Sequence, residues 1–339
     1  MKSSAKPTKK GLLLVNLGSP AAPTPRAVRR YLAQFLHDYR VIDINRWLWC
    51  PLLHGIILNT RPRKVAKAYA SIWGDDLTAE APLIRTTRAQ VAQLAEKMDD
   101  SWHIDMAMRY GAPAIPDQLD ALLEAGCGEI YVFPLYPQYA GATTGTVYDE
   151  VGRWLQKKPW VPPIHMLGPY YDDPPYIQAL AQSVTGDLAQ LDWQPEVLLT
   201  SFHGLPVRYC KNGDPYYCHC HKSARLLAEA LERNFTTDMP EAAPASPTVQ
   251  LCFQSQFGPE QWLTPATDKT LEQLAHVGVK KVAVLCPGFS ADCLETLEEI
   301  AVEGRESFLE AGGTHFHYIP CLNDAPAHID LLYKHITAG

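Results

Sequence analysis

The chain has 339 residues, 47% apolar and 20% charged, so it can bury a sizeable core and is no peptide, single-motif module or disulfide-stapled miniprotein. Against 30 basic residues stand 37 acidic ones, and the net charge of −7 has the wrong sign for tracking phosphate backbones, so nucleic acid is not an expected partner. Nine cysteines, an odd number behind a short basic start with no secretory apolar core, ill suit a disulfide framework and predict a disordered tail over residues 1–10 of a cytoplasmic protein.

Gly11 to Gly18 is the first of four apolar runs that read as buried parallel strands ending in turn residues; Glu129 to Pro134, Glu196 to Phe202 and Lys281 to Pro287 are the others. Trp47 to Leu58, the longest apolar stretch, is interrupted by Pro51, His54 and Gly55. It falls short of the roughly 20 residues that span a bilayer, and reads either as a segment lying on a membrane or as an ordinary buried helix.

A weak repeat organises the rest. Met108-Arg109-Tyr110-Gly111, a helix opening at Ile115-Pro116-Asp117, and the strand Ile130 to Pro134 form one copy. Ser255-Gln256-Phe257-Gly258, a helix from about Asp268, and Val282 to Pro287 form the second, displaced by 147 to 153 residues. The alternation predicts an α/β fold of two similar Rossmann-like lobes, each a parallel sheet flanked by helices, with the active-site cleft between them. The lobes are expected over 11–185 and 186–335. Thr236 to Pro247, rich in proline, reads as a surface loop. No Gly-x-Gly-x-x-Gly follows the first strand and no Gly-x-x-x-x-Gly-Lys occurs anywhere, which removes the main support for dinucleotide or P-loop chemistry.

Two constellations carry chemistry. The run Leu198 to Phe202 delivers His203 to a strand end, where Gly204 and Pro206 turn the chain away; in an open parallel sheet that edge faces ligands. After Pro287-Gly288, a helix capped by Ser290 or Asp292 is expected, with Glu295, Glu299 and Glu303 recurring at i, i+4 and i+8 on one face. Like charges at that spacing repel, so a plain helix gains nothing from the row, whereas a hard or borderline cation or a proton relay uses it. An imidazole facing a carboxylate is suited to removing protons from a substrate while it receives a divalent metal.

Cys210, Cys218 and Cys220, interleaved with His219 and His221, are dense enough to suggest metal. A [2Fe–2S] site completed by Cys321, a structural zinc site, or free thiols are the readings. Cys127, Cys252 and Cys286 lie in strand-like runs and read as core; His315 and His317 read as solvent-facing.

The motifs Leu198 to Pro206, Arg208-Tyr209, Gly213-Asp214-Pro215-Tyr216, Phe253-Gln254-Ser255, Gly258-Pro259, Trp262 to Pro265 and Cys286 to Glu299 together resemble the ferrochelatase family. Asn16-Leu17-Gly18-Ser19-Pro20, Arg109-Tyr110-Gly111, Phe133 to Tyr139 and Thr143-Thr144-Gly145 extend the resemblance from Gly11 to about Asp330.

It implies a lyase that inserts Fe²⁺ into protoporphyrin IX, the last step of haem synthesis, by bending the macrocycle and removing its protons, with no cofactor required for the chemistry. His203 would be the essential histidine, accepting a pyrrole proton or binding the metal, and Glu295 its acidic partner and a further metal-site residue. Glu299 and Glu303 would continue a metal path, and Tyr69, Arg109, Tyr110 and Trp262 would line the porphyrin pocket. The family also implies an apolar pocket lip at about 35–60, a peripheral contact with the inner face of the membrane, and in some members a [2Fe–2S] cluster. Cys293 stands where some members carry histidine, which puts a relay at that position in question. Coproporphyrin or cobalt/nickel chelation, or porphyrin carriage without catalysis, are the competing functions; the chain would act as monomer or homodimer.

Overall fold

The computed structural model describes residues 9–76 and 79–338, in two units. The first comprises residues 9–136, Ala140–Pro169 and 332–338; the second comprises Pro137–Tyr139 and Tyr170–Leu331. The division falls ahead of residue 185 because the helix Pro174–Leu188 packs on the helix Tyr216–Ala230 and belongs with the second unit.

In the first unit, β1 (Lys9–Asn16), β2 (Trp102–Met108), β3 (Cys127–Pro134) and β4 (Ile164–Met166) form an all-parallel sheet in the order β2-β1-β3-β4. β1 is central, and Leu12, Leu13, Leu14 and Val15 are wholly buried, as a strand covered on both faces requires. Lys9 and Lys10 belong to this strand and not to the tail expected over 1–10: Lys10 pairs with Trp102 and lays its ammonium 5.2 Å from the Trp102 ring centre. The rest of that tail lies outside the described residues. The helix Ile115–Glu124 opens where expected and buries Ile115, Leu119 and Leu122 against the sheet.

The second unit repeats this plan. β5 (Val197–His203), β6 (Asn234–Thr236), β7 (Thr248–Gln254), β8 (Lys281–Leu285) and β9 (His315–Ile319) form a parallel sheet ordered β6-β7-β5-β8-β9. Removing the edge strand β6 leaves the order of the first sheet. The loops after β2 and β7 close alike: the Met108 amide donates to the Pro113 carbonyl (2.7 Å) and the Phe253 amide to that of Pro265 (2.8 Å).

Two departures from regular helix fall on features singled out from sequence. Within the expected lip, about 35–60, lie the helix Arg46–Leu52, a π-helix Leu53–Ile57 and the start of the helix Leu58–Trp73. It is amphipathic: Trp49 is 5% exposed and packs with Leu36, Ile42, Leu53 and Leu58, whereas Trp47 is 89% exposed and Leu48, Leu52 and Ile56 share its outward face. The acidic row is likewise no single α-helix. A short helix Leu294–Leu297 gives way to a π-helix Glu299–Gly304 and then to the helix Arg305–Glu310. π-turns of this kind concentrate at functional sites because they re-aim side chains.

Candidate active site

β5 carries His203 to its carboxyl end, where the Gly204 amide donates to the Gln254 carbonyl (2.7 Å) and bends the chain. The turn needs glycine: a Cβ on Gly204 would lie 2.8 Å from the Gln254 oxygen and 3.3 Å from the Trp262 ring. The His203 Nδ1 donates to the Gly204 carbonyl (2.7 Å), so in the neutral ring Nε2 carries the lone pair. Trp262 therefore borders the histidine turn, bridged in the backbone to Pro206.

β7 pairs His203 with Gln254, and from that register two residues hold the acidic segment. Gln254 accepts from the Ser201 hydroxyl (2.7 Å) and donates to the backbone carbonyl of Glu295 (2.6 Å). Ser255, in the left-handed region at φ 64°, donates its amide to one oxygen of Glu299 (2.6 Å) and its hydroxyl to the other (2.5 Å). Burial pushes the Glu299 carboxyl up; the Ser255 hydroxyl and the His203 imidazole oppose that, and the neighbouring Glu295 carboxylate adds to it.

Cys293 supplies the cap expected of Ser290 or Asp292. Its amide donates to the Thr296 hydroxyl (3.0 Å) and its side chain closes a capping box. Asp292 braces the turn by accepting from Thr296 (3.0 Å), Tyr318 (2.6 Å) and Asn323 (2.7 Å). Burial and the adjacent Glu295 carboxylate drive the Cys293 thiol well above its ordinary range, so it stays protonated and hydrogen-bonds to that carboxylate. His203, Glu299 and Glu295 are thus joined electrostatically, while Glu303, near the end of the π-turn, is exposed. Such a group can take up and release protons.

In the first unit, Arg109 and Tyr110 are buried and their polar atoms are committed. Arg109 pairs with Asp38, donates to the Thr146 carbonyl (3.0 Å) and lies 3.6 Å from Glu150; the Tyr110 hydroxyl donates to Asp38 (3.0 Å). Desolvation raises the Tyr110 phenol further, which keeps it a donor. Tyr69 is also buried, edge-on to Trp73. Beside this network a cavity of about 380 Å³ is lined by Arg109, Asp38, Arg46, Glu150 and Arg153 among others. The terminal nitrogens of Arg46 are buried without a hydrogen-bond partner.

Cys210 lies within electrostatic reach of Cys218 and of Cys220. Cys218 is exposed, Cys210 half-buried and Cys220 wholly buried. Cys321 sits in the core packed around Cys252, Cys286 and Phe308, its sulfur 3.8 Å from the Cys286 carbonyl. Burial pushes the Cys210, Cys220 and Cys321 thiols up. Among the described residues no three His, Cys, Asp or Glu side chains gather closely enough to hold a metal ion, so Cys210, Cys218, Cys220 and Cys321 as placed do not fit a [2Fe–2S] group. Cys127, Cys252 and Cys286 are core residues. His317 differs from expectation, being partly buried and paired with Asp187.

Sequence reasoning missed Asp38, which stands in no motif, and the clamping roles of Gln254 and Ser255, which stand in one of the quoted motifs.

The duplicated parallel sheets define a tetrapyrrole-chelatase type of fold. The solved structure of SirB from Bacillus subtilis with Fe³⁺ matches with a TM-score of 0.57 over 97% of this chain and 94% of that one, at 12% identity. The particular family is shown by sequence: the ferrochelatase family profile matches residues 9–339, and the chain belongs to that family. It is 52% identical over 331 residues to the ferrochelatase of Agrobacterium fabrum, covering 96% of this chain and 92% of that one. It is 49% identical over 324 residues to that of Vibrio cholerae, covering 96% of each. The protein is accordingly a lyase of haem biosynthesis that inserts Fe²⁺ into protoporphyrin.

Proposed function

We propose that His203, Glu299 and Glu295 carry out the proton exchange of metal insertion. The free porphyrin holds two pyrrole protons, and the product holds none. His203 accepts one at Nε2, the Glu299 carboxylate accepts the other, and both pass to water as Fe²⁺ takes the four nitrogens of a macrocycle bent toward it. Glu295 supplies negative charge beside the incoming cation, and Glu303 continues the acidic path outward. Trp262 borders the macrocycle next to His203. The clamp of Ser255 on both oxygens of Glu299 carries this reading, because it fixes a carboxyl of raised proton affinity within reach of an imidazole.

In the first unit, Asp38 braces Arg109 and Tyr110 as a wall of the porphyrin pocket that Tyr69 also lines, and the Arg46 guanidinium, whose terminal nitrogens have no hydrogen-bond partner, takes a propionate carboxylate. The outward face of Trp47, Leu48, Leu52 and Ile56 rests on a lipid surface from which an apolar porphyrin is drawn. No helix among the described residues is long and apolar enough to cross a membrane. No step runs through an iron–sulfur group; iron and labile sulfide in anaerobically purified protein would reverse that reading.

His203→Ala is the test, followed by loss of free-porphyrin fluorescence as Fe²⁺ is added. General acid–base catalysis of this kind contributes about 10²–10⁴-fold, so insertion is expected to fall by that factor while porphyrin binding persists. Full insertion by the variant would refute the assignment. Parallel assays with coproporphyrin, Co²⁺ and Ni²⁺ read the substrate preference.

A further inference from the structure

Two histidines outside the insertion site point their rings at one another. His37 caps the helix Pro25–Leu36, and His54 stands in the π-helix Leu53–Ile57 of the lip; both are exposed. Their Nε2 atoms are 3.1 Å apart, with ring centres 5.0 Å apart and planes inclined by 53°. The His37 Nδ1 donates to the Ala33 carbonyl, so the neutral ring offers its Nε2 lone pair toward His54, whose Nε2–H donates into it.

That spacing suits a shared cation. Two imidazole nitrogens 3.1 Å apart, each about 2.05 Å from a zinc-like ion, subtend about 98° at the metal, between the octahedral and tetrahedral angles. A ligating imidazole characteristically donates its other ring N–H to a carbonyl or carboxylate, which is what His37 does.

The backbone that carries His54 is held independently of the ring pair. Asn59 donates to the His54 and Gly55 carbonyls, both at 2.9 Å, and Arg29 donates to the Leu58 carbonyl (2.9 Å) and the Asn59 side chain (2.5 Å). The rings are therefore available to a ligand without undoing the turn. An exposed hydrogen bond between two neutral imidazoles contributes little to stability, so the fold has small need of the pairing itself.

We propose that His37 and His54 form a site for a borderline divalent transition-metal ion of the Zn²⁺ class, with water completing the coordination. The ion ties the C-terminal end of the helix Pro25–Leu36 to the lip. On binding, the proton on His54 Nε2 moves to its Nδ1 through solvent, so two neutral imidazoles ligate with no net proton release.

Zn²⁺ titration of the whole chain by calorimetry tests this against His37→Ala and His54→Ala. Each variant is expected to bind one equivalent fewer, or to bind that equivalent at least about tenfold more weakly. Zinc is also expected to slow amide exchange over residues 45–58 in the wild type alone. Equal stoichiometry and affinity in all three proteins overturns the proposal, as does zinc-induced protection of the lip that survives in the variants. Far-UV melting without zinc checks folding; should an alanine variant fail to fold, His37→Gln and His54→Gln give the same comparison.

Discussion

Ser255→Ala isolates the hydroxyl that holds Glu299 ionisable. The amide bond from residue 255 to Glu299 remains in the variant, while the hydroxyl donor at 2.5 Å is lost. Hydrogen bonds to a charged group contribute about 1.5–3 kcal/mol, equivalent to about 1–2 pKa units at 1.36 kcal/mol per unit. The lost donor stabilised the carboxylate, so the Glu299 pKa, already raised by burial, rises further. If Glu299 must be ionised to take a pyrrole proton, the acid limb of kcat/KM for iron insertion moves to higher pH by that amount. Above the new limb the rate returns toward wild type. Ser255→Gly is the companion, since it removes the same hydroxyl while relieving the side chain of its left-handed φ of 64°. Equal displacement in both variants, read by porphyrin fluorescence across the pH range, assigns the effect to the hydroxyl and not to the backbone. Acid limbs that coincide with the wild type in both would refute the role given to the clamp.

Gly204→Ala places a Cβ 2.8 Å from the Gln254 carbonyl, a backbone atom that cannot swing aside, so His203 is displaced and kcat is expected to fall at least about tenfold; wild-type kinetics in the folded variant would contradict this. Asp38→Ala strips the buried Arg109 of its nearest carboxylate and is expected to cost about 3 kcal/mol in chemical denaturation, whereas a loss under about 1 kcal/mol would show that Glu150 suffices alone. His328 is wholly buried and uncharged, with burial lowering its pKa to about 4. The folded pKa lies below the unfolded value, so its contribution is complete above about pH 6.5 and is lost as pH falls toward 4, about 3 kcal/mol in all. Denaturation midpoints at pH 7 and pH 4 should converge in His328→Leu relative to wild type, and an unchanged gap would exclude this histidine as the cause.

The sheets were legible because central parallel strands write themselves as largely apolar runs: Leu12 to Val15, and Leu198 to Phe202 with only the small polar Thr200 and Ser201 between, read as buried on both faces without tertiary information. His203 was legible for a related reason, since a strand followed by glycine and proline must end at the sheet edge. The acidic row was legible in composition but not in shape. A period of four presupposes an α-helix, and the π-turn at Glu299–Gly304 breaks that assumption, leaving Glu299 clamped and Glu303 in solvent. The depth of Cys321 was not legible, because sequence spacing does not report burial and that thiol lies in an apolar core. Asp38 was invisible because its partners are 71 and 72 residues away.

The duplication explains why residues at matching places took different work. The bonds from Met108 to Pro113 and from Phe253 to Pro265 align the two loops, and the registers Asn16 with Met108 and Phe202 with Phe253 align the central strands. On that alignment Leu17 stands at the position of His203, Arg109 at that of Gln254, and Tyr110 at that of Ser255. The first unit closes the loop within five residues and commits its polar groups inward, to Asp38. The second takes twelve residues to reach the same bond, and the added chain from Ser255 to Trp262 frees the strand end to carry a histidine and to grip a carboxylate. Reaction chemistry at one sheet edge and bracing at its counterpart thus follow from a difference in loop length on a shared topology. Grafting His at Leu17 without lengthening the loop after β2 would add an imidazole with no serine and no carboxylate to work against.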